Sequence, residues 1–328
     1  MKYILGVDIA KDKFDCCLLG GEQKLEKTFS NNPRGCQQLM RWLAKAGSRP
    51  VELWACMEAT GIYGEALLHF LFAAGLTVSK VNPAQIKHYA RSLLARHKTD
   101  RQDAVLIAEF ARERSHAGKL RVWSPPSPEQ ARLRALTRLL AARKEQLARE
   151  KRRAKMVDAC LRSHLVAMMR AFDQLITQIE KEIQELVDAG PELKRRRDLL
   201  MSIPCVGPVT AHTVLAELPT EIRSARAAAA YAGLTPQRED SGRKIGRTRL
   251  SKTGNPRLRQ AFFMPAVNGK NNPRLKALAL RLEQKGKTGK QTVGACMHLL
   301  LRLCVGVLAS GQPFQADWIS RTSGRSPA

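Results

Sequence analysis

The chain has 328 residues and a formal net charge of +27, from 56 Lys and Arg against 29 Asp and Glu. A hydrophobic content of 44% excludes a disordered chain, and the positive charge indicates a polyanionic partner, most simply nucleic acid. No apolar run reaches the roughly 18–20 residues of a membrane span and no secretory signal opens the chain, so we expect a cytoplasmic, nucleoid-associated protein with no membrane partner.

The first 120 residues predict strands alternating with helices. A buried strand over 3–8 precedes a hairpin over 14–30, in which Gly20-Gly21 suits a tight turn. A helix follows from Asn32-Pro33 to about 46. The remaining elements are a strand, a helix, a strand and two helices, over 51–57, 61–74, 76–81, about 84–95 and 100–114. This order favours a mixed sheet flanked by helices, an α/β ribonuclease-H-like (RuvC-like) fold.

The rest of the chain is predicted to be mostly helical and carries most of the charge. Residues 1–120 hold 18 basic and 12 acidic side chains, whereas residues 121–328 hold 38 and 17. A Pro-rich linker at 123–128 leads into helices over about 129–161 and 165–189, and the apolar stripe of the second helix is typical of a helical hairpin or coiled coil. We therefore predict a first domain over 1–122, a helical spacer over 123–190 and a C-terminal domain over 191–328.

The C-terminal domain opens on a motif that resembles a helix-hairpin-helix turn, Ile203-Pro-Cys-Val-Gly-Pro-Val-Thr210. Such a turn can approach a nucleic-acid phosphate, but it can equally serve as a structural hairpin, and the sequence leaves both readings open. The eight cysteines of the chain show no zinc spacing, so we expect free thiols rather than disulfides or a metal site.

Four carboxylates stand where a metal-dependent nuclease would need them. Asp8 and Glu58 end two apolar strands, and Asp100 and Asp103 open an amphipathic helix, three residues apart and hence on one face. Divalent cations prefer several converging carboxylate oxygens. The alternative is structural: Asp100 as a helix N-cap with Asp103 as its capping partner, and Asp8 as a turn residue.

A serine lies in the most basic segment of the chain. Ser241 could attack a phosphodiester if a metal or base assists its deprotonation and cations stabilise the developing charge. Serines in such loops mostly cap or turn, and Ser251 is a competitor that looks more like a helix cap. The cations expected to bind nucleic acid around it are Arg238, Arg243, Lys244, Arg247, Arg249, Lys252 and Arg257.

In their order and spacing, these motifs resemble those of the IS110 family of insertion-sequence transposases, the DEDD recombinases that work with a bridge RNA. The resemblance covers nearly the whole chain. It is carried by Gly6-Val-Asp8-Ile-Ala-Lys11, Glu58-Ala-Thr-Gly61-Ile-Tyr63, Val81-Asn-Pro83, Lys98-Thr-Asp100-Arg-Gln-Asp103, Ile203-Pro-Cys-Val-Gly207, Ala232-Gly-Leu-Thr-Pro236, Ser241-Gly242 and Ser251-Lys-Thr-Gly254-Asn255. One departure is Cys205, which stands where many members have Gly.

The resemblance implies a mechanism and a set of partners. Asp8, Glu58, Asp100 and Asp103 would hold Mg²⁺ (or Mn²⁺), and Ser241 would attack the scissile phosphate to leave a phosphoserine and a free 3′-hydroxyl. Donor and target double-stranded DNA would be selected by the bridge RNA. The protein would be a homo-oligomer, a dimer assembling to a tetramer, with the serine of one subunit meeting the carboxylates of another.

The sequence is also compatible with two other functions. A RuvC-like Holliday-junction nuclease would use the same carboxylates with water as the nucleophile, which leaves Ser241 without a chemical role. A non-catalytic nucleic-acid-binding protein would use the carboxylates only structurally.

Overall fold

The computed structural model describes residues 2–21, 23–58, 61–93, 100–237 and 249–316, apart from the side chains of Ile62, Asp100, Arg101 and Ala159. The chain divides into two compact units, Met1–Pro125 and Pro126–Ala328.

A five-stranded mixed sheet forms the centre of the first unit. Its strands are β1 (Tyr3–Ile9), β2 (Lys13–Gly20), β3 (Gln23–Ser30), β4 (Leu53–Glu58) and β5 (Thr77–Val81). They lie in the order β3-β2-β1-β4-β5. β1 and β2, and β2 and β3, pair antiparallel, whereas β4 runs parallel to both β1 and β5. The predicted mixed sheet is therefore confirmed, with the long β1–β3 meander joined to two crossover strands.

Helices cover both faces of the sheet. The helices are α1 (Pro33–Lys45), α2 (Glu65–Ala73), α3 (Pro83–Ser92) and α4 (Asp100–His116). α1 and α2 pack against the face that carries Leu5 and Val7, and α3 and α4 pack against the opposite face, which carries Ile4. Successive residues of a strand point to opposite faces of the sheet. Because helices cover both faces, the residues of β1 that point to either face must be apolar, as its sequence shows.

Two boundaries differ from the sequence prediction for local reasons. Pro50–Glu52 forms a turn of 3-10 helix, so β4 begins only at Leu53, and Val51 is exposed instead of paired. Gly61–Gly64 likewise forms a 3-10 turn, and α2 begins at Glu65. Gly61 has a left-handed backbone, with φ of +80°, which an α-helix cannot contain.

The second unit is built mainly from helices. They are α5 (Pro128–Arg153), α6 (Arg162–Ala189), α7 (Pro191–Met201), α8 (Pro208–Glu217), α9 (Ala225–Ala232), α10 (Pro256–Val267), α11 (Pro273–Gln284) and α12 (Gly289–Ser310). A two-stranded ladder of β6 (Pro236–Gln237) and β7 (Arg249–Leu250) stands between α9 and α10.

The two longest helices pack side by side as an antiparallel hairpin. Lys144 of α5 forms a salt bridge with Glu180 of α6 at 2.6 Å, and Lys151 of α5 lies 4.0 Å from Asp173 of α6. The later residue of α5 therefore meets the earlier residue of α6, which shows that the helices are antiparallel. α5 ends at Arg153 rather than near residue 161, because the chain reverses direction through 154–161 to begin α6. The buried core that α7–α12 form also contains Leu133, Leu140, Leu147, Ile176, Ile179 and Ile183 of the hairpin.

One helix in the described part of the chain, α12, is long and apolar enough to cross a membrane. Half of its most apolar window is buried within the second unit. Leu300, Leu301 and Cys304 are fully enclosed by neighbouring helices. α12 thus serves as the central core helix of this unit.

Candidate active site

The sheet register brings Asp8 and Glu58 side by side. Val7 of β1 pairs with Met57 of the parallel strand β4, and the two carboxylates are the next residues of these strands. Parallel strands end at the same edge of a sheet, where ligands bind in α/β folds. Both side chains are partly exposed, so this edge can receive a ligand.

A close approach between β1 and α4 brings Asp103 to the same edge. A Cβ atom on Gly6 would lie 2.3 Å from the carbonyl oxygen of Ala104 and 2.4 Å from the backbone nitrogen of Ala108. Only glycine permits this contact. Asp103 directly precedes Ala104, and Asp8 follows Gly6 by two residues on the same face of β1. The two carboxylates therefore flank the point at which α4 crosses the strand.

The donor set fits a hard divalent cation in its chemistry, since carboxylate oxygens are the ligands such ions prefer. Asp100 is the first residue of α4, one helical turn from Asp103, but its side chain lies outside the described residues. Among the described residues, no three Asp, Glu, His or Cys side chains are close enough together to hold a metal ion. The fold thus gathers Asp8, Glu58 and Asp103 at one edge without closing a cage from them.

A further carboxylate, Asp15, lies beside Asp8 and is absent from the sequence prediction. It is directly opposite Asp8 in the antiparallel β1–β2 ladder, so both side chains point to the α4 face. Asp15 is only 3% exposed. Its carboxylate accepts a hydrogen bond from the Thr28 hydroxyl and pairs with Lys13 Nζ at 3.3 Å. A charged residue inside the apolar run Phe14-Asp-Cys-Cys-Leu-Leu19 was the signal that could have revealed it.

The thiols near this edge are held in their neutral form. Burial raises the pKa of Cys56 to about 12, with a smaller contribution from the Glu58 carboxylate. Burial also raises the pKa of Cys17 to about 11. All eight cysteines are free, as predicted, and these two serve as core side chains rather than as nucleophiles.

In the second unit, the segment that contains Ser241 is carried on a small hairpin stem. Ser241 itself lies outside the described residues, as do Arg238, Arg243, Lys244 and Arg247. The chain leaves the described part at Gln237 and returns at Arg249, its cross-strand partner. Two further bonds extend this ladder, from Ser251 N to Thr235 O at 2.9 Å and from Lys252 N to Gly233 O at 3.1 Å. The predicted cations Arg249, Lys252 and Arg257 are exposed at or just beyond the stem.

The base of the stem is locked into the helical core. A Cβ atom on Gly254 would lie 2.4 Å from Tyr231 O, and its φ of +146° also favours glycine. The next residue, Asn255, donates its backbone N–H to Tyr231 O at 2.7 Å. Its side-chain oxygen caps α10 by accepting from the backbone nitrogens of Arg257 and Leu258. The stem therefore has a fixed starting point on α9 and α10.

A buried carboxylate connects this base to the long helix α5. Glu217 is 2% exposed and accepts from Arg138 Nε at 2.6 Å, Arg138 Nη2 at 3.0 Å and Asn255 Nδ2 at 2.8 Å. Burial acts to raise the pKa of Glu217, but the hydrogen bonds from Arg138 and Asn255 outweigh it and lower the pKa below its ordinary value. Glu217 is thus an ionised joint between α5, α8 and α10.

The helix-hairpin-helix-like motif forms the turn between α7 and α8. Cys205, at the centre of the turn, has a left-handed backbone with φ of +80°, which is the conformation that favours glycine. Its thiol donates to Asn268 O at 3.5 Å, and Asn272 Nδ2 donates to Pro204 O at 3.1 Å. The turn is therefore braced by the α10–α11 connection, and Cys205 occupies a position that glycine would occupy without strain.

The first unit is a mixed sheet with helices on both faces and carboxylates at one edge, and a basic helical unit follows it in the chain. The solved Thermus thermophilus RuvC structure is similar over 37% of this chain and 99% of its own length, with 15% identity and a TM-score of 0.29. Two family models match the sequence. "DEDD_Tnp_IS110: Transposase" matches residues 5–186, and "Transposase IS116/IS110/IS902 family" matches residues 197–279.

Relatives along almost the whole chain agree with these models. The "Pilin gene-inverting protein" of Moraxella bovis is 35% identical over 318 residues, covering 95% of this chain and 98% of that protein. The "Transposase for insertion sequence element IS1111A" of Coxiella burnetii is 26% identical and covers 88% of this chain and 81% of its own length. The chain belongs to the IS110 family of transposases, enzymes that act on DNA.

Proposed function

We propose that this transposase cuts, exchanges and rejoins DNA strands with Ser241 as the nucleophile and a divalent cation, Mg²⁺ or Mn²⁺, at Asp8, Glu58, Asp100 and Asp103. The observation that supports the proposal is that three of these carboxylates belong to chain segments that meet at one edge of the sheet. Asp8 and Glu58 directly follow Val7 and Met57, which are paired in the β1–β4 register. Asp103 directly precedes Ala104, whose backbone lies against Gly6 of β1. Phosphoryl transfer needs anionic ligands for a cation at such an edge and a nucleophile that can reach it.

The strand transfer conserves the number of phosphodiester bonds. The Oγ of Ser241 forms a bond to the scissile phosphorus as the bond to the 3′-oxygen breaks, and the released 3′-oxygen takes up a proton. In rejoining, a 3′-hydroxyl attacks the phosphoserine and the serine hydroxyl is restored. When bound, the cation supplies charge stabilisation at the phosphate. The cations Arg249, Lys252 and Arg257 around the serine stem hold the DNA backbone in place.

The relatives support a recombination reaction over simple cleavage. The name of the Moraxella bovis relative says that it inverts a pilin gene, and inversion requires that every cut strand be joined again. We extend this requirement to the present chain. It favours a covalent serine intermediate over the alternative RuvC-like Holliday-junction nuclease, in which water would attack and the cut would be final.

We further propose that a bridge RNA selects the donor and target DNA, and that the active site forms between subunits of a dimer or tetramer. The charge supports an RNA partner besides DNA, because residues 121–328 carry 38 basic side chains against 17 acidic ones. The turn at Cys205 would add a contact between the protein and the nucleic-acid backbone. The protein would then act at the nucleoid in the cytoplasm. Sequencing the RNA that copurifies with the full chain tests the guide, since random cellular RNA would contradict it.

The chemistry is tested by trapping the covalent adduct. The full chain, with its copurified RNA, is incubated with Mg²⁺ and a labelled donor duplex and then denatured. We expect a labelled protein–DNA adduct whose modified peptide contains Ser241 as phosphoserine. Asp8→Asn and Ser241→Ala should both abolish the adduct.

Ser251→Ala provides a matched control, because Ser251 lies on the stem in the same basic region. Its hydroxyl accepts a hydrogen bond from the Thr235 hydroxyl. We expect this variant to form the adduct at close to the wild-type rate. Normal cleavage by Ser241→Ala together with loss of cleavage by Asp8→Asn would refute the serine mechanism and favour the water mechanism. Cleavage that is independent of Mg²⁺ and of Asp8 would refute the cation site.

A further inference from the structure

The side-chain amide of Asn31 connects the two chain segments that follow the paired carboxylates. Asn31 Nδ2 donates to Ala10 O at 3.0 Å, and Ala10 comes two residues after Asp8. The same nitrogen donates to Tyr63 O at 3.0 Å, and Tyr63 comes five residues after Glu58. The backbone N–H of Asn31 also donates to Asp12 O at 2.9 Å. Asn31 therefore fixes the backbone of Tyr63 at the carboxylate edge of the sheet.

The ring of Tyr63 is exposed at this edge. Tyr63 is 45% exposed, and its ring makes no contact with another aromatic ring among the described residues. Phe72, the other exposed aromatic in the described part of the first unit, packs edge-on against Trp123 with ring centroids 5.7 Å apart. Burial accounts for most aromatic rings in this unit, but it does not account for Tyr63.

We propose that Tyr63 is a stacking platform for an unpaired nucleobase of the DNA at the carboxylate edge. This inference deepens the proposed function, because it rests on DNA occupying that edge. Aromatic rings bind single-stranded nucleic acid by stacking on bases, whose π-faces are available only when the duplex is opened. A strand exchange reaction requires such opened bases near the scissile phosphate. Tyr63 selects opened over fully paired DNA, and Asn31 is the positioning residue that holds it in place.

The binding of two DNA probes distinguishes this role from a structural one. The probes are a fully paired donor duplex and the same duplex with a short unpaired segment that contains 2-aminopurine. Both are bound to the full chain carrying Ser241→Ala, so that neither is cut covalently. We expect Tyr63→Phe to keep the preference for the opened probe, because the ring remains. Tyr63→Leu should weaken binding of the opened probe by about five- to a hundred-fold, with little effect on the paired probe and with loss of 2-aminopurine quenching.

Two asparagines provide a matched pair for the positioning role. Asn32 caps α1 by accepting from Gly35 N at 2.9 Å and has no bond to Tyr63. Asn31→Ala should reduce the preference for opened DNA, whereas Asn32→Ala should lower the melting temperature and leave the preference unchanged. If both variants reduced the preference in proportion to lost stability, Asn31 would have no positioning role and that part of the proposal would be overturned.

A photocrosslink locates the base directly. With 5-iodouracil in the unpaired segment, we expect the crosslinked peptide to contain Tyr63. A crosslink to Phe263 of the second unit, which is 50% exposed, would overturn the proposal, as would an unchanged probe preference in a folded Tyr63→Leu protein. These binding measurements do not require cleavage. If the serine mechanism is wrong, the adduct is lost but the preference that depends on Tyr63 can persist. If the stacking role is wrong, the preference does not depend on Tyr63 but the adduct still forms.

Discussion

Gly6 of β1 packs against the backbone of Ala104 in α4, at a distance that leaves no room for a side chain on residue 6. A Cβ atom would approach the Ala104 carbonyl oxygen to 2.3 Å, and that atom belongs to a helix backbone that cannot move alone. This contact sets the distance between α4, with Asp103, and the strand that bears Asp8. The geometry of the carboxylate edge therefore depends on a residue with no chemistry of its own.

We expect Gly6→Ala to separate α4 from the sheet. Overpacking of this kind costs about 1–3 kcal/mol of unfolding free energy, and a displacement of about 1 Å at the carboxylates can lower a rate on the order of a hundred-fold. The measurements are urea unfolding and the rate of adduct formation. Gly306→Ala in α12 is the control, because nothing lies within 4 Å of an added Cβ there. Wild-type activity of Gly6→Ala would contradict the assigned role of the contact.

Asp15→Asn tests the carboxylate that the sequence did not single out. Asn keeps the size of the side chain and can still accept from Thr28, but it removes a negative charge directly opposite Asp8. We expect the Mg²⁺ concentration for half-maximal cleavage to rise several-fold, because less negative potential remains at the edge. Glu26→Gln on β3, where the exposed Glu26 pairs with Lys24 at 3.5 Å, should leave this Mg²⁺ concentration unchanged. An unaltered Mg²⁺ titration for Asp15→Asn would limit Asp15 to a structural role.

Glu217→Gln removes the charge from the joint between α5 and the serine stem. The Arg138 guanidinium, which is 44% exposed, and the Asn255 amide would each lose the charged acceptor that buried Glu217 supplies. We expect a cost of about 1–3 kcal/mol in unfolding free energy. Glu180→Gln, which breaks an exposed pair with Lys144, should cost about 0–1 kcal/mol. Because the folded pKa of Glu217 lies below its ordinary 4.5, this stabilisation is complete above that pH and is lost as the pH falls through the folded value. If urea unfolding gave the same loss of unfolding free energy for both variants, Glu217 would not stabilise the contact between α5 and the serine stem.

Because His212 is buried, we expect a second decrease in unfolding free energy as the pH falls, at a pH nearer to neutral. Its side chain is buried in α8, its Nε2 has no hydrogen-bond partner among the described residues, and burial followed by the charge of Arg197 lowers its pKa below 6.5. Below pH 6.5 the unfolded chain takes up a proton that the folded protein resists, so stability falls. We expect His212→Leu to reduce the difference in unfolding free energy between about pH 7.5 and about pH 5.5. The exposed His164 is the control, and His164→Leu should preserve the full difference.

Cations at the serine stem should account for part of the salt dependence of DNA binding. Each contact with a phosphate that is removed lowers the slope of log affinity against log salt by about one. We expect this change for Arg249→Ala, and also for Arg243→Ala, Lys244→Ala and Arg247→Ala. Lys181→Ala, which removes a cation paired with Glu185 on α6, should not change the slope. A constant slope across the stem variants would show that this segment does not meet the DNA backbone.

The sequence predicted the order of elements in the first unit because period-two and period-3.6 apolar patterns are local properties. It also placed Asp8 and Glu58 at strand ends, from the apolar runs that precede them. The exact start of β4 and of α2 was missed, since the 3-10 turns at Pro50–Glu52 and Gly61–Gly64 depend on single residues rather than on periodicity. Whether Ser241 acts as predicted stays a prediction, because the segment lies outside the described residues.

By itself, the sequence determined the residue types, their charges and the pattern that marks the IS110 family. The tertiary structure decided which of them meet. Asp15 lies seven residues from Asp8, and only the antiparallel register of β1 and β2 makes them neighbours. Arg138 and Glu217 are 79 residues apart and come together through the packing of α5 on α8. Pairings of this kind depend on strand register and helix packing over distances that no local pattern encodes, and they decide which charged side chains become neighbours.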